Sequence, residues 1–209
     1  MSVFASNAGL THKLPQYNNN CPLEARYHLN AVLILKKHFA ASPEAFHIVL
    51  EHSRMVAAKA LAIASAIPDP SLDLRLLEEA ALLHDIGVSR IHAPRIGCHG
   101  DHPYICHGVL GREILETEGL PVHAMVCERH IGVGLGVKDI VQQRLPLPKR
   151  DMVPVTLAER IICFADLFYS KRPGSLDREK SPDDIRTAML RHGSHKVAIF
   201  ERWVQEFSR

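Results

Sequence analysis

The sequence predicts a single all-α domain, a helical bundle, and three observations carry that prediction. Apolar residues recur at helical spacing through most of the chain. The breaks between those segments are marked by Pro, Gly, Ser or Asp, and no stretch alternates in the manner of a half-buried strand. The length of 209 residues suits one domain with a sizeable core, and 46% hydrophobic with 23% charged residues excludes a largely disordered chain.

The elements follow in chain order. Residues 1–20 end in Asn18-Asn19-Asn20 and carry no apolar period, so they are expected to form a flexible lead-in to a domain over 21–209. A first helix is expected over Leu23–Phe39. Ser42-Pro43-Glu44 then supplies an N-cap and a proline at the first helical position for a second helix, which runs to about Ala66 before Pro68 and Pro70. Ser71 or Asp73 opens a third helix carrying Leu76, Leu77, Ala80 and Ala81, and Gly87 ends it.

Residues 88–102 have no apolar period and contain Pro94, Gly97 and Gly100, which predicts a long loop of the kind that is more often functional than idle. A fourth helix covers Pro103–Glu118 with Gly119 closing it, and a fifth covers Pro121–His130 before a turn rich in glycine. A short helix over Lys138–Arg144 precedes an irregular stretch with Pro146, Pro148 and Pro154. Thr156–Lys171 reads as a sixth, long helix with Thr156 and Glu159 in capping-box spacing. Ser181-Pro182-Asp183 starts a last helix to about Phe207.

Composition narrows the function. No apolar run reaches the roughly 18–20 residues of a spanning helix. Met1–Leu14 lacks the charged and apolar regions of a secretory signal. The five cysteines, Cys21, Cys98, Cys106, Cys127 and Cys163, include no CxxC pair, which points to reduced thiols and a cytoplasmic location. A formal charge of +2 from 25 basic and 23 acidic residues is too even for nucleic-acid binding by bulk electrostatics. No stable nucleic-acid partner and no membrane is therefore expected, and the oligomeric state stays open. Histidine, at 14 copies, is the outlier.

The same anomaly recurs on five of these helices. His52 falls within the stripe of Ala45, Ile48, Val49, Val56, Ala60 and Ile63. Leu77, Ala80 and Ala81 lead to His84, with Asp85 beside it. His107 aligns with Leu110, Gly111 and Ile114, His130 with Val126, and Asp166 lies one turn beyond Ile162. Each spacing aims a polar group at the core. A lone buried imidazole finds a hydrogen-bond partner readily, but an unpaired buried carboxylate costs several kcal/mol or more and normally neutralises or binds a cation. No Arg or Lys shares the stripes of Asp85 or Asp166. Four imidazoles and two carboxylates converging in this way are read as metal ligands. Without thiolate, the set suits Zn, Mn, Fe, Co or Ni. Six ligands exceed the need of one tetrahedral ion, so one or two divalent ions are expected, with Asp85 able to bridge a pair.

The tetrapeptide His84-Asp85-Ile86-Gly87, with His52 upstream and Asp166 downstream, resembles the HD-domain metal-dependent phosphohydrolase superfamily in its HDIG form. His107-Gly108-Val109-Leu110-Gly111, Glu128-Arg129-His130-Ile131-Gly132 and the stretch from Thr156 to Asp166 resemble an uncharacterised prokaryotic HDIG family, with core motifs over 45–172. The resemblance implies a helical bundle of the HD-domain type, His52, His84, Asp85 and Asp166 as core ligands, and His107 and His130 as the added ligands of binuclear members. Many two-metal relatives carry a lysine after the HDIG glycine, where this chain has Val88, and the GYP motif of the cyclic-dinucleotide hydrolases is absent.

The expected activity is hydrolysis of a phosphomonoester or phosphodiester of a nucleotide or other small molecule by a metal-bound hydroxide. Asp85, His84 and Arg129 are the residues expected to carry the chemistry, Arg129 through bidentate contact with phosphate. Arg95, Arg112, Lys138 and Lys171 are weaker candidates for that contact, and His92, His99 and His102 for lining the entrance. The same six-ligand scaffold resembles that of mixed-valent di-iron oxygenases, which is the alternative activity. A non-catalytic module would be expected to have lost at least one ligand.

Overall fold

The computed structural model describes residues 29–208. Among them are nine α-helices: α1 (Ala31–His38), α2 (Pro43–Ser65), α3 (Leu74–Leu83), α4 (His107–Thr117), α5 (Pro121–Arg129), α6 (Val137–Gln142), α7 (Leu157–Leu167), α8 (Pro182–Leu190) and α9 (Ser194–Phe207). The expected all-α class holds. The expected lead-in over 1–20 and the first part of the first helix, 23–28, lie outside the described residues. No helix among those described is long and apolar enough to cross a membrane.

Local chemistry sets the helix ends. Asn30 caps α1 by accepting from the Leu33 amide at 3.0 Å, which sets the start of this helix at Ala31. Asp73 caps α3, accepting from the amides of Arg75 and Leu76 at 3.0 Å each. Thr156 and Glu159 form the predicted capping box on α7, each side chain bonding the other's backbone amide. Ser42 stands at the start of α2 without a side-chain bond, leaving Pro43 as the start signal there.

Three expectations change. The 88–102 segment is not an unstructured loop. It holds short 3₁₀ turns at Ile86–Arg90 and Pro94–Ile96 and a two-stranded antiparallel ribbon, β1 (His92–Ala93) with β2 (Cys98–His99), in which His92 faces His99. Ribbons of two residues are too short for alternation to register in a sequence. The sixth helix stops at Leu167 rather than Lys171. Its final carbonyls are taken by residue 180, whose backbone amide donates to Phe168 at 2.8 Å and whose Nζ donates to Leu167 at 2.9 Å and Tyr169 at 2.8 Å. The predicted last helix is two helices, broken at Gly193, which takes a φ of +117° that other residues rarely adopt. Both halves bury apolar residues in one cluster, which is why the period runs through the break.

The core is two apolar clusters that share α2. One packs the C-terminal part of α2, through Val56, Ala60 and Ile63, against α3, α7, α8 and α9. The other packs the N-terminal part, through Ile48 and Val49, against α1, the 86–98 segment, α4 and α5. His52 lies between Val49 and Val56, at the seam. Leu77, Ala80 and Ala81 of α3 join the first cluster and Leu83 the second, which places His84 and Asp85 at the same seam.

Gly87 fixes how closely the HDIG turn approaches α4. A Cβ there would lie 2.0 Å from the His107 carbonyl oxygen and 2.4 Å from the Gly111 amide nitrogen, both backbone atoms. Gly87→Ala is predicted to destabilise the fold by about 3 kcal/mol through overpacking. At roughly 2–4 °C per kcal/mol for a chain of this size, thermal unfolding followed by circular dichroism should show a fall of about 6–12 °C. An unchanged melting temperature would mean that the turn does not depend on this close approach.

Candidate metal centre

His52 projects from the middle of α2, His84 caps the end of α3, and Asp85 opens the 3₁₀ turn that follows. His107 begins α4, His130 caps the end of α5, and Asp166 lies in the last turn of α7. Five of the six positions are thus in the caps or terminal turns of helices, where a change of backbone direction lets side chains from different helices meet. The structure brings all six together.

Two donor sets share Asp85. Around its Oδ2, His52 Nε2 and His84 Nε2 each lie at 3.2 Å, and Asp166 Oδ1 lies 2.9 Å from His52 Nε2 and 3.5 Å from His84 Nε2. Around its Oδ1, His107 Nε2 lies at 3.5 Å and His130 Nε2 at 3.6 Å, and those two nitrogens are 3.0 Å apart. Either set could hold a metal ion.

The hydrogen bonding fits that use. Nδ1 of His84, His107 and His130 faces the carbonyl oxygen three residues back, of Ala81, Tyr104 and Cys127, at 2.6, 2.7 and 2.7 Å. A carbonyl only accepts, so each Nδ1 carries a proton and each Nε2 is the nitrogen turned inward, with its lone pair free for a metal ion when the ring is neutral. His107 and His130 then oppose two lone pairs at 3.0 Å, an arrangement that a shared cation relieves. His52 Nε2, His84 Nε2 and both Asp85 oxygens are buried without an aligned hydrogen bond, despite their short separations. Donor atoms gathered this closely without bonding one another are left free for a shared cation. Separations of 2.9–3.6 Å among these atoms match the edges of a coordination shell with bonds of roughly 2.0–2.2 Å.

The electrostatics are those of a site built for positive charge. Burial opposes ionisation of Asp85, but the Lys171 ammonium and the His84 ring hold its carboxyl well below the usual range. Asp166 is likewise held low against its burial, by Lys171 and then His52. Burial also opposes charge on His84, yet Asp85 and Asp166 together push it up to about 10. His107 goes the other way, down to about 3, because burial is reinforced by the neighbouring His130.

Lys171 supplies a partner that the helix stripes do not show. No Arg or Lys shares the stripe of Asp85, yet one from off the stripe reaches it: the Lys171 ammonium lies 2.5 Å from Asp85 Oδ2, an ion pair by distance although not aligned as a hydrogen bond. On a helix continued to 171, this lysine would sit roughly 140° around from Asp166, counting 100° per residue. The helix ends at Leu167, and the chain turns the side chain back onto the cluster. Nothing in the periodicity signals that turn.

Arg129 is engaged elsewhere. Its guanidinium donates to Glu159 at 2.8 Å, the same carboxylate that completes the capping box of α7. It ties the end of α5, and so His130, to the start of α7. Glu128, beside it in the chain, is buried and accepts from Arg112 at 2.6 Å and from Arg150. Arg95, Lys138, His92, His99 and His102 are exposed.

The cluster opens on a cavity of about 620 Å³ through Asp166 and Lys171. Ile131, Val133, Leu135, Leu145 and Met189 supply apolar wall, while Tyr104, Lys180 and His192 supply polar groups. Arg129 is not among the lining residues.

Comparison with known proteins adds the following. The family model described as HD domain matches residues 49–170, which contain all six donors. An uncharacterised protein of Methanocaldococcus jannaschii is 38% identical over 129 residues, covering 59% of this chain and 69% of that protein. Two proteins named tRNA (cytidine(56)-2'-O)-methyltransferase are also similar. The one from Thermoplasma volcanium is 29% identical over 159 residues, covering 75% of this chain and 41% of its own length. The one from Picrophilus torridus is 32% identical over 130 residues, covering 62% of this chain and 33% of its own length. No solved structure gives a significant match.

Sharing of Asp85 between the sets sets an expectation for ion content. Plasma mass spectrometry on protein loaded with Mn²⁺ and desalted should give two ions per chain. His107→Ala should retain about one, and Asp85→Ala should retain neither, because both sets lose an oxygen. Equal ion content in wild type and Asp85→Ala would place any bound metal elsewhere.

Proposed function

This chain belongs to the HD domain family, and on that footing we propose that it is a metal-dependent phosphohydrolase acting on a phosphomonoester or phosphodiester of a nucleotide or other small molecule. The observation that carries the reading is the convergence of six donors, two of them carboxylates, at the end of a cavity bordered by lysines. Carboxylate and imidazole donors suit divalent transition metals, and a site that is cationic when loaded suits a phosphate ester. Divalent ions held there would supply charge at the phosphoryl oxygens and make water acidic near neutral pH.

The protein's own groups have distinct tasks in this reading. His52, His84 and Asp166 hold one cation position, His107 and His130 the other, and Asp85 belongs to both. The backbone carbonyls of Ala81, Tyr104 and Cys127 fix the rings of His84, His107 and His130, so little reorganisation is needed when substrate arrives. Apolar residues of the cavity receive the organic part of the substrate and exclude water, while Lys171 and Lys180 lie where its phosphate enters. Arg129 acts from outside the cavity by steadying His130. A cavity of about 620 Å³ falls in the range of small-molecule sites, roughly 300–1,000 Å³, and favours a mononucleotide-sized compound over a folded nucleic acid. The chain spans less than half of the two relatives named for tRNA methylation, and methyl transfer is not part of this proposal.

The test is hydrolysis of a panel of nucleoside monophosphates, p-nitrophenyl phosphate and bis-p-nitrophenyl phosphate by protein loaded in turn with Mn²⁺, Fe²⁺, Co²⁺, Ni²⁺ and Zn²⁺. At least one combination should turn over, and Asp85→Ala and His84→Ala should each lower that rate by roughly 10²–10³. An iron-loaded protein that consumes O₂ with an organic substrate and leaves every ester intact would replace hydrolysis with oxygenation. Equal background rates in wild type and both variants would remove the hydrolytic reading.

A further inference from the structure

We propose that Lys171 is an exchangeable counter-ion and a substrate-positioning residue: its ammonium neutralises Asp85 when the His52–His84–Asp85–Asp166 set holds no ion, and it turns into the cavity to bind the substrate's phosphate when an ion takes that place. The inference rests on the metal-centre reading above and assigns a task to a residue outside the ligand motif.

The lysine meets one particular oxygen of Asp85. Its Nζ lies 2.5 Å from Asp85 Oδ2, the oxygen that also faces His52 Nε2 and His84 Nε2 at 3.2 Å. A cation held by those three groups bonds that oxygen at roughly 2.0–2.2 Å, so ammonium and metal compete for one place. Oδ1, facing His107 and His130, has no such competitor among the described residues. The lysine therefore opposes one of the two ions and spares the other.

The side chain also has somewhere to go. Lys171 lies past the end of α7, its side chain is 11% exposed, and it lines the cavity together with Asp166. Its four-carbon stem lets the ammonium swing while the backbone stays in place.

Charge drives the move. With no ion bound, two carboxylates face one ammonium in the cluster. Divalent ions reverse the sign of that balance, so the ammonium is repelled from Asp85 toward the cavity. There Lys180, whose Nζ is already held by two backbone carbonyls, provides a second positive group. The two lysines then flank the place where an anionic substrate meets the ions, which links loading of the metal to capture of phosphate.

The experiment compares wild type, Lys171→Met and Lys171→Arg after removal of metal by chelation. Titration with Mn²⁺ should show one class of site binding roughly tenfold or more tighter in Lys171→Met, with the other class unchanged. The melting temperature of the metal-free protein should fall in Lys171→Met and hold in Lys171→Arg, while the Mn²⁺-loaded forms should melt alike. With loaded protein, KM for p-nitrophenyl phosphate should rise roughly tenfold in Lys171→Met, with kcat changed less. If Lys171→Met does not fold without metal, protein purified with Mn²⁺ is challenged with chelator, and slower ion loss than in wild type is the expected result.

Mn²⁺ affinity that is unchanged or weaker in Lys171→Met, or loss of ion as fast as in wild type, would overturn the counter-ion role. An unchanged KM would overturn the positioning role. Uptake of Mn²⁺ by Lys171→Met alone would support the lysine as a block to the site. Uptake by neither protein would remove the metal reading and this inference together, so the two failures are told apart.

Discussion

A fully buried carboxylate that must be neutralised organises this molecule. Asp85 is enclosed on every side, and its two oxygens face different partners: His52, His84 and Lys171 at Oδ2, His107 and His130 at Oδ1. An isolated charge in such a place costs several kcal/mol or more. The fold meets that cost by bringing imidazoles from four helix segments and a second acid, Asp166, to the same point. An ammonium is the partner the chain itself supplies, and a divalent cation is the one that the donor chemistry matches better.

The architecture follows from where that charge sits. The interior divides into two apolar clusters, and α2 belongs to both, so the polar centre occupies their boundary instead of interrupting either one. Close backbone contact at Gly87 brings the HDIG turn against α4, and the link from Arg129 to Glu159 joins α5 to α7. These contacts fix His107 and His130 relative to Asp85. The cavity gives the centre an approach past Asp166 and Lys171, with charge at one end and apolar wall along its length.

What the sequence made legible has a physical pattern. Helical periodicity placed His52, His84, His107, His130 and Asp166 on inward faces, because a 3.6-residue period constrains direction even when partners are unknown. Capping chemistry at Asp73, Thr156 and Ser181 located helix starts to within a residue or two. Helix ends were harder to read. The stop at Leu167 depends on Lys180, thirteen residues away, and the break at Gly193 interrupts an apolar period that continues on both sides. The first of those ends hid the approach of Lys171 to Asp85. Arg129 shows the complementary limit. Adjacency to His130 in the chain suggested a role in the cavity, but neighbouring residues near a helix end point in different directions, and Glu159 was the partner within reach. The turns and ribbon over 86–99 are too short to leave a pattern at all.

Cations occupying the space that the six donors enclose would complete this centre. Anomalous diffraction from a crystal grown with Mn²⁺, recorded on both sides of the manganese absorption edge, addresses that directly. Two peaks flanking the Asp85 carboxylate, one among His52, His84 and Asp166 and one beside His107 and His130, are the predicted result. A map with no anomalous peak inside the cluster, and the Lys171 ammonium still seated on Asp85, would contradict it.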